Sequence, residues 1–340
     1  MRVLLLANNG KEKGLGEALE KAGIDLAAGE TRYGSFYCQD FDILLVDYPQ
    51  AWGGFKLDAA RAAHEKGKLV CSYPHGAGPL MQLAGCWDPC PYVHVELVPA
   101  EGFKEVYKAM GYTTRLETVG WFFCEQHEPA CAAETPEGGP PALRRLLYAP
   151  AHPYSSTEGR TFVPNWQAEN LKVWKKFVEL PGLKTVHMYG TWEANGMEPD
   201  DRVRVSISNL TPQLAQDQID KADVVIGDPE TFSRMAVARG KPTVMFGQNI
   251  HPHSDFGDKL VTNWEAWRYI HRYPFDADDG PLADVVDAAT HGDVSEWRSR
   301  FIGPQITPLG VRSLLQRLLD ERNPAPNRAQ RRKKKKKARR

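Results

Sequence analysis

The sequence predicts an α/β protein of two successive units, each a parallel sheet covered by helices on both faces. Three observations carry that expectation. Short apolar runs alternate with helical stretches through residues 1–125, the alternation restarts at residue 143, and a stretch rich in Pro, Gly and acid lies between them. Alternating strands and helices imply a parallel sheet, and strands buried on both faces read as near-continuous apolar runs.

In the first unit, Arg2–Ala7 is a strand, and Glu12–Lys21 a helix ending near Gly23. Asp42–Asp47 is a second clear strand, and Leu57–Lys66 a helix closed by Gly67. Lys68–Tyr73 is a third strand, leading into Pro74-His75-Gly76-Ala77-Gly78-Pro79. Tyr92–Val98 and Arg115–Val119 are strands on either side of a helix at Gly102–Met110. Residues 126–142 include Glu134-Thr-Pro-Glu-Gly-Gly-Pro-Pro141, which has nothing to bury and reads as a linker. In the second unit, Arg145–Ala149, Thr185–Tyr189, Val203–Ile207, Asp223–Ile226 and Pro242–Phe246 are strands. Trp166–Leu180, Gln213–Ala222, Thr231–Arg239, Pro281–Thr290 and Val311–Arg322 are helices. The expected boundaries are a first domain at 1–125, the linker at 126–142, a second domain at 143–322 and a tail at 323–340. No short-period repeat appears, which excludes a solenoid or propeller.

The 340 residues fit two domains, and 42% hydrophobic with 25% charged residues is ordinary globular composition. No apolar run approaches the roughly 18 residues that a membrane-crossing helix needs. Val3-Leu4-Leu5-Leu6-Ala7 is too short for a signal-peptide core, so a cytoplasmic protein is expected. Six cysteines in this length are too sparse for a disulfide scaffold. The zero net charge hides an asymmetry: residues 328–340 carry ten of the 43 Lys and Arg and no acid, which leaves a body of net −10.

Ligands of a parallel sheet bind where strands hand over to helices at the carboxyl edge. Three such loops carry chemistry. His75, in the glycine-rich segment after the third strand, can titrate near neutral pH and act as a general base or phosphate contact. A rigid turn with an incidental histidine is the alternative. His152, in Tyr148-Ala149-Pro150-Ala151-His152, is followed by Ser155 and Ser156, whose hydroxyls with a protonated imidazole would suit phosphates. The same hydroxyls also make ordinary turns. In Ala222-Asp223-Val-Val-Ile-Gly227-Asp228-Pro229-Glu230-Thr231-Phe232-Ser233 a strand turns tightly into a helix. The start of that helix is an anion site, Thr231 and Ser233 can add hydroxyl contacts, and Glu230 can accept ribose hydroxyls. Helix capping uses the same residue types. Neither a Walker A loop nor a complete Gly-x-Gly-x-x-Gly is present.

Together these segments resemble the two-domain GT-B glycosyltransferase fold, and most closely its branch of glycerophosphotransferases and related polymer glycosyltransferases. The resemblance rests on His75-Gly76, on Tyr148-Ala149-Pro150-Ala151-His152, and on Ala222–Ser233 followed by Lys241-Pro242, over roughly residues 70–250 in order. It implies two Rossmann-like domains facing a cleft, with the acceptor on the first and a nucleotide-activated donor on the second. The branch's double serine is replaced here by Pro229-Glu230-Thr231, and its lysine after the His-Gly motif is missing. Glu230 suits the ribose of a sugar nucleotide, so a sugar is expected rather than a polyol phosphate, with a polyol-phosphate transferase acting on a surface polymer as the alternative. A non-catalytic nucleotide- or nucleic-acid-binding protein on the same fold is the rival from another class. The expected roles are base for His75 and stabiliser of the leaving diphosphate for His152 and the start of the helix. No Asp-x-Asp motif stands where the fold would place one, so no metal cofactor is implied beyond the nucleotide-sugar co-substrate.

Cys86, Cys90 and His94, with Cys124 and His127, have spacings unlike a standard zinc site, and buried or loop thiols are the commoner reading. His251-Pro-His253-Ser-Asp255 would lie over the donor or be solvated. Trp166, Trp174 and Phe177 read as helix packing. The tail cannot fold alone against its own repulsion. Arg331, Arg332, Lys333, Lys334, Lys335, Lys336, Lys337, Arg339 and Arg340 suit a phosphate backbone, which makes nucleic acid, for example a hydroxylated base in modified DNA, one candidate acceptor, with a polymer or protein acceptor left open. Anionic lipid is a weaker match, because no apolar partner accompanies the charge. A solubilising or targeting tail is the plain alternative.

Overall fold

The computed structural model describes residues 1–6, 13–29, 40–47, 54–74, 90–109, 112–128, 144–150, 166–188, 191–207, 212–227, 231–246, 274–275 and 280–322. They form two six-stranded sheets in which every pairing is parallel. The first contains β1 (Arg2–Leu6), β2 (Asp25–Gly29), β3 (Ile43–Asp47), β4 (Leu69–Tyr73), β5 (Val95–Val98) and β6 (Arg115–Thr118), in the order β2-β1-β3-β4-β5-β6. The second contains β7 (Arg145–Ala149), β8 (Leu183–Met188), β9 (Val203–Ile207), β10 (Val224–Gly227), β11 (Thr243–Phe246) and β12 (Pro274–Phe275), in the order β12-β11-β10-β7-β8-β9. This is the tandem α/β architecture that the alternation of runs predicts.

Successive strand residues face opposite sides of a sheet. In β1, Val3 and Leu5 join one core cluster while Leu4 and Leu6 join another. The second cluster is closed by Ala59, Ala60 and Ala63 of α2 (Gly54–Glu65), while α1 is Lys13–Lys21. In the second sheet Leu146, Tyr148, Val224, Ile226, Val244 and Phe246 face α4 (Trp166–Glu179), whose Trp174 and Phe177 are buried there as expected. The remaining helices are α3 (Glu101–Ala109), α5 (Pro212–Lys221), α6 (Thr231–Ala238), α7 (Leu282–His291), α8 (Ser295–Phe301) and α9 (Pro308–Arg322).

One apolar cluster spans both sheets, joining Val3, Leu45 and Leu97 to Leu147, Val225 and Met245. Trp121, fully buried, sits in it, and the Trp121 N–H donates to Pro304 O at 2.7 Å while Ile306 N–H donates to Trp121 O at 2.9 Å. The chain therefore passes between the units twice, once near Trp121 and again near Ile306. The second passage delivers α9 to the first unit, where Arg312 Nη1 donates to Ala22 O at 2.7 Å and Val311, Leu315 and Leu318 share a cluster with Leu15 and Leu19 of α1. Gly14 has the closest backbone neighbour of this region: a Cβ there would stand 2.2 Å from Phe122 O.

Candidate functional site

In the second sheet the chain runs from β7 outward to β8 and β9, then returns to place β10 against the other side of β7. The order reverses between β7 and β10, which pair Tyr148 with Ile226 and Ala149 with Gly227. At such a reversal the following loops part, and a crevice opens beyond the carboxyl ends of the strands.

α6 begins four residues after Gly227, at Thr231, as the sequence predicts. Met235, Ala236 and Ala238 favour helix. The helix ends at Gly240, whose φ of +74° admits the left-handed turn. Gly240 N–H donates to Val237 O at 3.0 Å and Lys241 N–H to Ala236 O at 2.9 Å, the paired bonds of a Schellman ending. The other end of α6 follows the carboxyl end of β10 and carries the positive pole of the helix dipole, and its first N–H groups have no partner inside the helix.

Ser233 is wholly buried, and among the described residues its hydroxyl has no hydrogen-bond partner. A Cβ on Gly227 would lie 2.5 Å from Ser233 Oγ and 3.3 Å from Ala149 O. The hydroxyl is therefore at the carboxyl ends of β10 and β7, at the point where the strand order reverses. A buried hydroxyl without a partner costs about 1–3 kcal/mol, so its retention there suits an incoming acceptor or donor group.

His187 lies one residue before the end of β8 and was not singled out from sequence, where it reads as part of a strand. Its ring stacks on Phe232 of α6 at 4.9 Å between centroids and 22° between planes, and Nδ1 is 3.3 Å from Ser206 Oγ of β9. Burial lowers its pKa to about 4, so the imidazole is neutral at neutral pH. It offers α6 a hydrogen-bonding ring and no charge. The signal available in the sequence was a histidine in an otherwise apolar strand, next to the carboxyl edge.

The first sheet reverses order between β1 and β3. The last residue of β3, Asp47, is buried and paired with buried Lys56 of α2. Tyr73 Oη, from the end of β4, donates to Leu6 O at 3.0 Å. The Asp47–Lys56 pair thus lies buried at the carboxyl end of β3, and it was not singled out from sequence.

Thr231 and Ser233 come together at the start of α6. His75, His152, Ser155, Ser156 and Glu230 lie outside the described residues, as do the histidines at 251 and 253 and the tail with its Arg331, Arg332, Lys333–Lys337, Arg339 and Arg340. Cys86 is outside them too. Cys90 and His94 are at the amino edge of the first sheet, where His94 Nδ1 accepts from Val70 N–H at 3.1 Å and the ring stacks on His64 at 4.6 Å. Cys124 lies instead in the connection between the units, where Trp121 Nε1 donates to its Sγ at 3.4 Å. Among the described residues no group of three or more His, Cys, Asp or Glu is gathered to hold a metal ion.

No protein-family model matches this chain, and no curated protein matches it. Solved structures do resemble it. One is the glycosyltransferase SsfS6 of Streptomyces sp. SF2575, solved with thymidine diphosphate, at 13% identity and a TM-score of 0.46, covering 93% of this chain and 99% of that one. A variant of the wall teichoic acid polymerase TagF gives 9% identity and a TM-score of 0.49 over 95% of this chain and 90% of that one. A UDP-glucosyltransferase from Polygonum tinctorium gives 9% and 0.42 over 95% and 98%. At these identities the likeness is one of chain path, not of side chains.

Proposed function

We propose that the chain is a glycosyltransferase of GT-B type that moves a sugar from a nucleotide-activated donor to an acceptor hydroxyl. The observation that carries the reading is the wholly buried hydroxyl of Ser233, without a hydrogen-bond partner among the described residues, at the start of α6 beside the reversal of strand order. A diphosphate there would receive the amide groups and dipole of α6 and the hydroxyls of Thr231 and Ser233. Glu230 would take the ribose hydroxyls, and His152, Ser155 and Ser156, which follow β7 in the chain, would complete the phosphate contacts.

The chemistry then needs two things. The acceptor oxygen attacks the anomeric carbon while a base takes its proton, a role given to His75 after β4. The bond from that carbon to the diphosphate oxygen breaks, the oxygen keeps the electron pair, and the α6 amides and hydroxyls stabilise the departing charge. The nucleotide sugar is the only co-substrate in this reading. The acceptor in this reading is a hydroxyl on nucleic acid, for which the support is the ten basic residues of 328–340. Among the described residues no helix is long and apolar enough to cross a membrane, and the proposed compartment is the cytoplasm.

Ser233→Ala tests the donor site in two measurements. Without ligand the variant should unfold at higher denaturant, by about 1 kcal/mol, because a buried hydroxyl with no partner among the described residues is gone. Its affinity for the nucleoside diphosphate that best stabilises the native chain should fall about tenfold, since a hydrogen bond to a charged group is lost. Lower stability with unchanged affinity would mean the hydroxyl serves the fold and not a donor.

A further inference from the structure

Arg234 follows Ser233 on α6, about 100° further around the helix. While Ser233 faces the carboxyl ends of β10 and β7, Arg234 leaves the second unit. Its side chain is wholly buried. The guanidinium carbon lies 5.5 Å from the ring centre of Phe103 and 5.8 Å from that of Trp297. Phe103 belongs to α3, in the first unit, and Trp297 to α8. These two helices are themselves in backbone contact, since a Cβ on Gly102 would stand 2.7 Å from Arg300 O. Arg300 of α8 also pairs with Glu105 of α3. α3 and α8 are thus held together, although Arg298 of α8 also donates to Ala238 O at the end of α6 at 3.0 Å, and Arg234 is received between a ring of each.

A guanidinium out of water is held stringently. Its contacts with aromatic faces strengthen as water is excluded, and any shift of α6 against α3 breaks them or strands the charge. One helical turn therefore carries the proposed diphosphate hydroxyl on one residue and an aromatic clasp to the first unit on the next.

We propose that Arg234 is a positioning residue that couples the donor-binding turn of α6 to α3 of the first unit, so that donor occupancy fixes the acceptor-side unit in register. The inference rests on the donor reading given above. It goes beyond it by assigning a physical path from donor to the other unit: Ser233, the α6 backbone, Arg234, then Phe103. Coupling of this kind is reciprocal, so restraining α3 should also favour donor binding.

The experiment uses the full chain and a panel of UDP, CDP, GDP, ADP and TDP, with hydrogen exchange of residues 101–109 as the readout. In the native chain, the nucleotide that raises the unfolding temperature should slow exchange across α3 by about fivefold or more. In Arg234→Met, which keeps the volume but not the charge, the nucleotide should bind within about threefold of native affinity and the α3 protection should vanish. Arg234→Lys, which keeps a cation over the rings, should restore part of it. Phe103→Leu breaks the clasp from the other end and gives the same loss, which keeps the test open if Arg234→Met fails to fold. With the matching nucleotide sugar, Arg234→Met should lower kcat about tenfold at nearly constant donor KM, a split that general instability would not produce. If the nucleotide binds native protein but α3 is not protected, or if protection survives both Arg234→Met and Phe103→Leu, the coupling is overturned and the donor site stands. If no nucleotide on the panel stabilises the native chain, the donor site is overturned and the coupling with it.

Discussion

Lys56 and Asp47 show what a single buried charge does to this molecule. Both side chains are almost wholly out of water, and their pairing closes the end of β3. Removing one partner of such a pair leaves the other's desolvation without its counter-charge. Lys56→Met should therefore destabilise the chain by about 3 kcal/mol in denaturant titration, whereas Lys56→Met combined with Asp47→Leu should return to within about 1 kcal/mol of native. A single variant as stable as the native chain would mean that the pair is not held in the folded state. His187 and His94 act through protons instead. Burial is the main cause lowering each pKa to about 4, and for His94 the positive charge of Arg322 and the neighbouring His64 add to it. An unfolded histidine titrates near 6.5. Between about 6.5 and 4 the unfolded chain binds more protons than the folded one, so stability falls as pH falls through that window. Thermal unfolding midpoints should drop on acidification from pH 6.5 toward 4, and the drop should be shallower in His187→Gln. An equal slope in the variant would show that His187 is protonated in the folded protein.

At the scale of the element, the two ends of α6 have different origins. Its carboxyl end is local, a glycine in the left-handed region with two bonds back to Ala236 and Val237. Its start is set by packing against β10, where the absence of a side chain on Gly227 leaves room for Ser233 Oγ. Gly227→Ala would put a methyl group 2.5 Å from that oxygen and 3.3 Å from Ala149 O, in a buried place with little freedom to yield. It should cost about 1–3 kcal/mol of stability and weaken nucleotide binding as Ser233→Ala does. Adding Ser233→Ala to Gly227→Ala should recover much of the stability but none of the binding. Stability left low in the double variant would place the clash at Ala149 instead. The same scale explains β2. Asp25-Leu-Ala-Ala-Gly29 has few residues that favour strands, yet all five residues pair with β1, which offers an open edge in register.

For the whole molecule, charge and connection are the deciding quantities. The body is acidic at net −10, and the ten positive charges of residues 328–340 all lie beyond α9. Deleting 328–340 should leave the unfolding midpoint unchanged within about 1 °C, because a like-charged tail has no apolar surface to bury. Binding to long DNA or RNA should fall to near background, while the native chain's affinity should drop steeply between about 50 and 200 mM salt. Retained binding after deletion would remove the support for a nucleic-acid acceptor without touching the proposed donor site. The passage of the chain back to the first unit gives the molecule its second constraint. Trp121, Pro304 and Ile306 bond across the two crossings, and Gly14 allows α1 to approach Phe122 closely. The two sheets therefore share one core cluster, and a perturbation in either one reaches this seam.

The sequence by itself determined the elements whose cause is local. Continuous apolar runs such as Ile43–Val46 and Val224–Ile226 can be buried only as central strands, and helical spacing marked α4 and α6 to within about two residues. It also placed a hydroxyl-bearing helix start at Thr231 soon after the β10 strand, because the two are contiguous in the chain. Tertiary structure alone decided what depends on partners distant in sequence. β2 and the two residues of β12 are strands because a neighbouring edge supplies their hydrogen bonds. α9 lies on the first unit because α1 and Ala22 receive it. Ser233 among capping residues, His187 in a strand and Arg234 in a helix look ordinary in one dimension. The burial of a hydroxyl against Gly227, of an imidazole against Phe232 and of a guanidinium between Phe103 and Trp297 arises from contacts between segments separated by up to about 130 residues, and local propensity carries no record of them.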